Sequence, residues 1–563
     1  MVNYTEDDFL IESLGSVYYP DRTVFRVFAP HYEKLDLLLN NNRYPLHKKG
    51  FCFENTVYGN CEFARYHFEG EGYSFKDPFA YASDEYGSIV LDPEKFNKET
   101  IIPKNISRAR IIYELSVRDF SADPSYPGEY KKTFKALTES GLKKKDQPVG
   151  LDYLEYLGIT HLQLMPIMDY DNDKTDYNWG YNPIAYNHVK KDYLYDQDDP
   201  YAFVNELRET INILHKRNIR VTFDVVFNHV YDRRKNDLGK MLKGHLYRYR
   251  QDGTPANGTL VGNEVKSEDP FVRAYIVQMV KRYLTLFDVD GIRMDLMGIT
   301  DIDTVNLIMK TMRQKKKDFL VYGEGWNMGD VLPEDQRASI INSEKMDDVM
   351  MFNDFFRETI IHYVSGNNSI VNNVRNALSA DPSYLDVHHT LNYVECHDNY
   401  TMYDRMMLYK ADEEKWLSLL RCKLALSLVL IARGSSFIQA GEEFLRTKYG
   451  LRDSYNASDE INALDWSLRI RNSSMCSYLR DLIKIRKENP VFDEDDVSVE
   501  FDEYYECLIY NLGDLKIIIN PSTNDYVYND EHEYEVIFSD RGSIEYRSRI
   551  ISISALSIVI CKV

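Results

Sequence analysis

Gly291-Ile292-Arg293-Met294-Asp295-Leu296-Met297-Gly298 follows Asp288-Val289-Asp290 as an apolar, alternating run that stops at a glycine. That is the pattern of a short buried strand and the loop at its carboxyl end. Arg293 and Asp295 stand two residues apart and therefore face the same side of the strand. Charges on an inward face are costly unless each is satisfied. Two roles fit the octapeptide taken alone. One is a structural ion pair; the other is a nucleophilic Asp295 carboxylate kept ionised by the Arg293 guanidinium. The choice turns on whether other strand ends supply a second and a third carboxylate.

Strand-like runs of the same kind recur on both sides of it, at 109–117, 159–166, 219–226, 320–324, 348–352, 391–395 and 436–440. Helical patterns at 202–216, 271–287, 303–317 and 415–432 separate them; the first places Phe203, Leu207, Ile211 and Leu214 on one face after Pro200. Eight strand–helix repeats over about 380 residues imply parallel strands with crossover helices, and the count predicts a closed (β/α)8 TIM barrel. An open doubly wound sheet has less support, because no glycine-rich phosphate loop follows the first strand.

The flanks read differently. Residues 23–30, 35–39 and 66–70 alternate with period two between turn residues, which predicts a small antiparallel sandwich. After a helix over 474–488, further strands at 507–510, 515–519 and 550–559 predict a third, all-β module. The expected organisation is multidomain: a β-sandwich over 1–106, a barrel over 107–489 with a short insertion after its third strand, and a second β-sandwich over 490–563. The acidic Asp493-Glu494-Asp495-Asp496 reads as a solvated turn, not a calcium site.

Composition narrows the partners. The formal charge of −21 over 563 residues argues against a nucleic-acid ligand. Lys143–145 and Lys315–317 are isolated basic runs, read as solvated surface. Seven cysteines show no C-x-x-C and no zinc spacing, which fits free thiols in a reducing compartment. The acidic start and the lack of a membrane-length apolar run point to a cytoplasmic protein with no membrane partner. Tyrosine is abundant, 44 against 4 tryptophans, and aromatic faces stack on sugars; tyrosine is equally common in half-buried strands, so the excess decides nothing alone.

In a barrel of this kind the functional groups collect at the carboxyl ends of the strands. There the third strand offers Asp224 and Asn228-His229, the fourth Arg293 and Asp295, the fifth Glu324 between two glycines, and the seventh His397-Asp398-Asn399. Any one of these has an ordinary explanation as a turn former or a satisfied loop residue. Three carboxylates on separate strand ends, with an arginine and two histidines, are harder to explain so. They suit either a divalent metal or the cleavage of a glycoside. Barrel metal hydrolases usually show a His-x-His or a lysine bridge near the first strand, where this chain has Tyr113-Glu114-Leu115-Ser116. Retaining glycosidases need one carboxylate as nucleophile and one as acid/base. Asp295 suits the first role, Glu324 the second if its pKa is raised, and Asp398 would bind ring hydroxyls and favour the oxocarbenium-like transition state.

Asp224-Val225-Val226-Phe227-Asn228-His229, the 291–298 octapeptide, Tyr322-Gly323-Glu324-Gly325-Trp326 and Asn392-Tyr393-Val394-Glu395-Cys396-His397-Asp398-Asn399 look like the four signature regions of the α-amylase family of glycoside hydrolases. Tyr177-Asn178-Trp179-Gly180-Tyr181-Asn182-Pro183 resembles the hallmark of its type I pullulanases, as do Val261-Gly262-Asn263-Glu264 and the stretch from Gln439 to Lys448. The resemblance spans nearly the whole chain, and implies that the β-sandwich over 1–106 is of a starch-binding type. It implies Asp295 as nucleophile, Glu324 as acid/base and Asp398 as transition-state stabiliser. It further implies Arg293, His229, His397 and Asp224 around the sugar, Tyr181 stacked under its ring and Trp326 as an aromatic wall on the leaving side. The implied activity is retaining endo-hydrolysis of α-1,6 branch linkages in pullulan and in dextrins from glycogen and starch amylopectin. Asn182, Met294 and Phe227 depart from the family pattern without touching a catalytic carboxylate and are expected to be packing changes. The short N-terminal portion leads to an expected preference for soluble oligosaccharides over granular starch.

No organic cofactor is implied, calcium is left open with no ligand pattern pointing to it, and a monomer is expected. An α-1,4 hydrolase or a branching transferase would carry the same three carboxylates, and a glycan-binding protein without activity is the rival from another class. The 177–183 motif and the products from pullulan separate these readings.

Overall fold

Eight short parallel strands close into a barrel in the computed structural model, which describes residues 14–104, 110–381, 384–493, 497–502 and 507–563. They are Ile111–Leu115, His161–Leu164, Arg220–Val225, Gly291–Met294, Leu320–Gly323, Met350–Phe352, Thr390–Asn392 and Ser435–Gln439, paired in sequence order. The eighth returns to the first through Ile112 and Phe437. These strands are buried throughout, as expected where helices cover the outside and side chains fill the inside. Ile112, Leu320, Tyr322, Met350, Phe352, Leu391, Tyr393 and Phe437 form one apolar cluster within it.

The crossover helices follow from their apolar stripes. Ala202–Lys216 buries Phe203, Leu207, Ile211 and Leu214 as its periodicity predicts. Pro270–Phe287 begins on an Asp269 cap with proline in its first turn. Lys415–Ile431 is apolar on more than one face because the C-terminal sheet covers its outer side.

Two antiparallel sheets form the N-terminal module, one ordered Gly15–Tyr19, Arg22–Phe28, Cys52–Tyr58 and His47–Lys49, the other built on Asp36–Leu39 and Arg65–Gly70. The tight hairpin after Leu39 turns on Asn40 and Asn41, with φ of 46° and 66°, a backbone that asparagine tolerates. This module docks on the barrel through Phe28 against Phe271, ring centroids 5.1 Å apart. The C-terminal strands are hydrogen-bonded as six in one sheet, ending in the long hairpin Tyr526–Ser539 and Gly542–Ile553. Irregular pairing between Asn529 and Tyr534 bends that hairpin, and a second core of Cys507, Ile518, Tyr534, Val536, Ile551 and Val559 forms away from the barrel.

Several local expectations are corrected. The first barrel strand ends at Leu115, because the Ser116 side chain accepts from Asp119 N–H and caps helix Val117–Ala122. The run 550–559 is two strands, broken by a turn in which Leu556 has φ of 49°. Lys316 is not simply solvated: its ammonium donates to the Asp290 carboxylate at 2.9 Å and the Asp288 carbonyl at 2.8 Å, pinning the segment that leads into the fourth strand. Residues 494–496 of the acidic tract lie outside the described residues. Among those described, no helix is long and apolar enough to cross a membrane.

Candidate active site

The octapeptide ends as it does because two strand ends interlock. Leu296 turns with φ of 40°, directing the chain back across the barrel mouth. Gly298 then packs against the loop after the fifth strand, where a Cβ would lie 2.0 Å from the Trp326 carbonyl oxygen. Gly298 N–H donates to Glu324 O at 2.9 Å, and Glu324 N–H donates to Met294 O at 3.2 Å. The backbones carrying Asp295 and Glu324 are therefore joined by hydrogen bonds on both sides of the two carboxylates.

Arg293 is the hub. It is fully buried, and its neighbour in register on the third strand is Asp224. One terminal nitrogen donates to Asp224 Oδ1 at 2.8 Å and to Asp295 Oδ1 at 3.1 Å, while the other lies 2.7 Å from Glu324 Oε1. A planar guanidinium suits such multiple carboxylate contacts, and a lysine would not reproduce them. The second Asp295 oxygen accepts from Asn228 Nδ2 at 2.8 Å, so both oxygens of this carboxylate are oriented.

Glu324 has a different environment. Burial pushes its pKa up to about 7; the nearby Asp295 and Asp398 charges raise it too, against the lowering by Arg293 and by the Leu296 N–H at 3.0 Å. Two neighbouring carboxyl groups with separate environments are what an acid/base and nucleophile pair requires.

Asp398 is about half exposed, with one oxygen 3.6 Å from His397 Nε2. Burial works against a charged His397, but Asp398 and Glu114 prevail and hold its pKa up to about 9. Its Nδ1 lies 2.8 Å from Glu114 Oε1, and its backbone N–H donates to the other Glu114 oxygen at 2.8 Å. The Tyr181 ring stacks on His397 at 4.8 Å, and its hydroxyl donates to Asp224 Oδ2 at 2.7 Å.

The remaining expected residues divide. Asp224 has no exposed side-chain surface; it is spent on Arg293, Tyr181 and Gln163 beneath the site. His229 is buried with Nδ1 2.6 Å from Asn228 Oδ1 and Nε2 3.1 Å from the Tyr181 carbonyl, and burial lowers its pKa. Trp326 is half-buried against the cluster inside the barrel. Met294 and Phe227 are buried in the core, Phe227 with its ring 5.3 Å from Tyr186. Asn182 Nδ2 donates to the Asp171 carbonyl at 3.4 Å.

Sequence reasoning passes over Glu114 and Lys448. A carboxylate inside the apolar run Ile111-Ile112-Tyr113-Glu114-Leu115 was the available signal for the first. Lys448 is buried and donates to the His397 carbonyl at 2.8 Å, a contact no local pattern announces. The 261–264 motif pairs with the loop after the third strand: Glu264 forms a backbone bridge with His229, and its side chain forms a buried ion pair with Arg248. No group of three or more metal-ligating side chains occurs among the described residues.

No family model matches the chain. It is 34% identical over 558 residues to a pullulanase of Bacillus subtilis (strain 168), covering 91% of this chain and 77% of that protein. Its structure resembles that of a pullulanase from Anoxybacillus sp. LM18-11 complexed with maltotetraose, with a TM-score of 0.93 and 30% identity over 99% of this chain and 88% of that one. A type I pullulanase from Bacillus subtilis str. 168, complexed with maltose, aligns with the same TM-score and identity over 99% and 86%. With that identity over most of both chains, and with its signature residues gathered at the mouth of a closed barrel, the chain belongs to the type I pullulanases of the α-amylase family, a group of debranching glycoside hydrolases.

Proposed function

We propose that this chain hydrolyses α-1,6-glucosidic branch linkages in pullulan and in glycogen- and amylopectin-derived dextrins, with retention of configuration at the cleaved carbon. The Asp295 carboxylate attacks C1 of the glucose unit while Glu324 gives its proton to the departing O6. The ester so formed is then attacked at C1 by water, whose proton passes to Glu324, and the Asp295 carboxylate is released. Asp398 and His397 hold ring hydroxyls, Tyr181 supports the sugar, and Trp326 borders the leaving chain. Asp224 and His229 are positioning residues, because their polar atoms are engaged within the protein.

The observation that carries this reading is the single Arg293 guanidinium in contact with both Asp295 and Glu324; burial, which pushes the Glu324 pKa up to about 7, suits that carboxyl to the acid/base role. Incubation with pullulan and with glycogen limit dextrin, products separated by chromatography, tests it. Maltotriose from pullulan is expected; panose-type products would assign α-1,4 cleavage instead. An Asp295→Asn variant is expected to lose activity by 10⁴-fold or more, on the order found when a covalent nucleophile is removed.

A cytoplasmic monomer without an organic cofactor completes the proposal. Seven free thiols, six of them buried, support a reducing compartment.

A further inference from the structure

The segment 446–455 is tied to the loop bearing Asp398 on both sides of that residue. Lys448 Nζ donates to the His397 carbonyl at 2.8 Å, and Arg452 Nε donates to Asn399 Oδ1 at 3.2 Å. The residues between these anchors, 449–451, consequently border the loop that carries Asp398. The base of the segment is rigid. Lys448 N–H donates to Asp404 Oδ2 at 2.7 Å, the Lys448 ammonium lies 4.9 Å from the Trp179 ring, and Trp179 N–H donates to the Tyr455 carbonyl at 3.0 Å.

Its tip is the opposite. Tyr449 is 74% exposed, and among the described residues its ring has no hydrogen-bonding, aromatic or cationic partner. Its backbone has φ of 55°, a left-handed conformation that a bulky aromatic rarely takes, fixed by Tyr449 N–H donating to Thr447 Oγ1 at 2.9 Å. A large flat side chain is thus held out in water on a segment that borders the loop of the carboxylate proposed to bind sugar hydroxyls.

We propose that the Tyr449 ring is a stacking platform for a glucose unit of the bound α-glucan, outside the pocket of the unit being cleaved; this deepens the function proposed above and rests on it. A pyranose presents axial C–H bonds on its faces and hydroxyls at its rim. Its C–H face matches the electron-rich face of an aromatic ring, while the hydroxyls stay hydrated. Tyrosine also loses little conformational freedom on contact, having only two side-chain torsions. Leu451, 40% exposed on the same tip, extends the apolar strip.

The test is calorimetric titration of Asp295→Asn protein with maltohexaose, repeated with Tyr449→Ala, Tyr449→Leu and Tyr449→Phe added in turn. Loss of the ring is expected to weaken binding roughly five- to tenfold, the order of an aromatic stacking contact. Leu is expected to behave like Ala, because it keeps apolar area but not a flat face, and Phe is expected to bind like the parent. In the enzyme with Asp295 intact, Tyr449→Ala is expected to raise KM on pullulan with kcat nearly unchanged. Equal affinity in the Ala variant and the parent would overturn the platform while leaving the proposed hydrolysis untouched, and a Phe variant as weak as Ala would overturn it too. If the parent bound no maltohexaose at all, the substrate class itself would be wrong.

Discussion

Leu296 N–H donates to Glu324 Oε2 at 3.0 Å, so the residue that follows Asp295 in the chain holds the carboxyl group proposed to act with it. The bond has an energetic consequence as well as a geometric one. It favours the ionised form of Glu324, as Arg293 does, and burial together with the Asp295 and Asp398 charges outweighs both, which holds the pKa up to about 7. The poise of the acid is thus a balance of opposing influences set by four neighbouring residues, Arg293, Asp295, Leu296 and Asp398.

On pullulan, kcat/KM is expected to fall as pH rises through about 7, since only protonated Glu324 can assist the departing sugar oxygen. With α-maltotriosyl fluoride, whose leaving group needs no proton, the alkaline limb is expected to be weak or absent. The two pH profiles, measured on the same preparation, check the assignment. Identical alkaline limbs would remove Glu324 from the role.

The same shift acts on stability. A carboxyl whose folded pKa lies above its unfolded value favours the folded state below the unfolded pKa, and that contribution is lost as pH rises through the folded one. For Glu324 the window runs from about 4.5 to about 7. Glu324→Gln is therefore expected to gain melting temperature relative to the parent at pH 8 but not at pH 4.5. Thermal denaturation at the two pH values reads this directly, and a difference independent of pH would speak against it.

Arg293→Gln should be costly in a different way. It leaves Asp224 buried without its ion-pair partner, and loss of one partner from a buried pair costs about 3–5 kcal/mol. A lower melting temperature together with near-complete loss of activity is expected. Arg293→Lys should recover part of the stability and little of the activity, because an ammonium cannot reach three carboxylates in the same geometry. Full activity in the lysine variant would contradict the hub.

Asn228→Ala removes one of the bonds that orient Asp295. A hydrogen bond to a charged group contributes about 1.5–3 kcal/mol, so kcat is expected to fall roughly ten- to hundredfold. KM should change little, since no substrate contact is proposed for Asn228. Steady-state kinetics separate the two parameters.

What could be read from the chain alone was local. The strand ends that carry Asp224, Arg293, Asp295, Glu324 and Asp398 announce themselves because each sits at the end of a short apolar run, and helix Ala202–Lys216 because its stripe has the right period. The supports of the site were not legible. Glu114 meets His397, and Lys448 meets the His397 carbonyl, across 283 and 51 residues of chain, with no pattern linking the partners. Lys316 looks like surface among its lysine neighbours until Asp288 and Asp290 fold beside it. The C-terminal run 550–559 conceals its break because Leu556 gives no composition signal for a left-handed turn.

The most direct measurement is mass mapping of Glu324→Gln after brief exposure to α-maltotriosyl fluoride. If Glu324 is the acid/base, this variant should form the ester from the activated donor faster than water can release it. A maltotriosyl mass increment confined to the peptide containing Asp295 is the expected result. A label on another carboxylate, or a product released with inverted configuration and no adduct, would contradict the account.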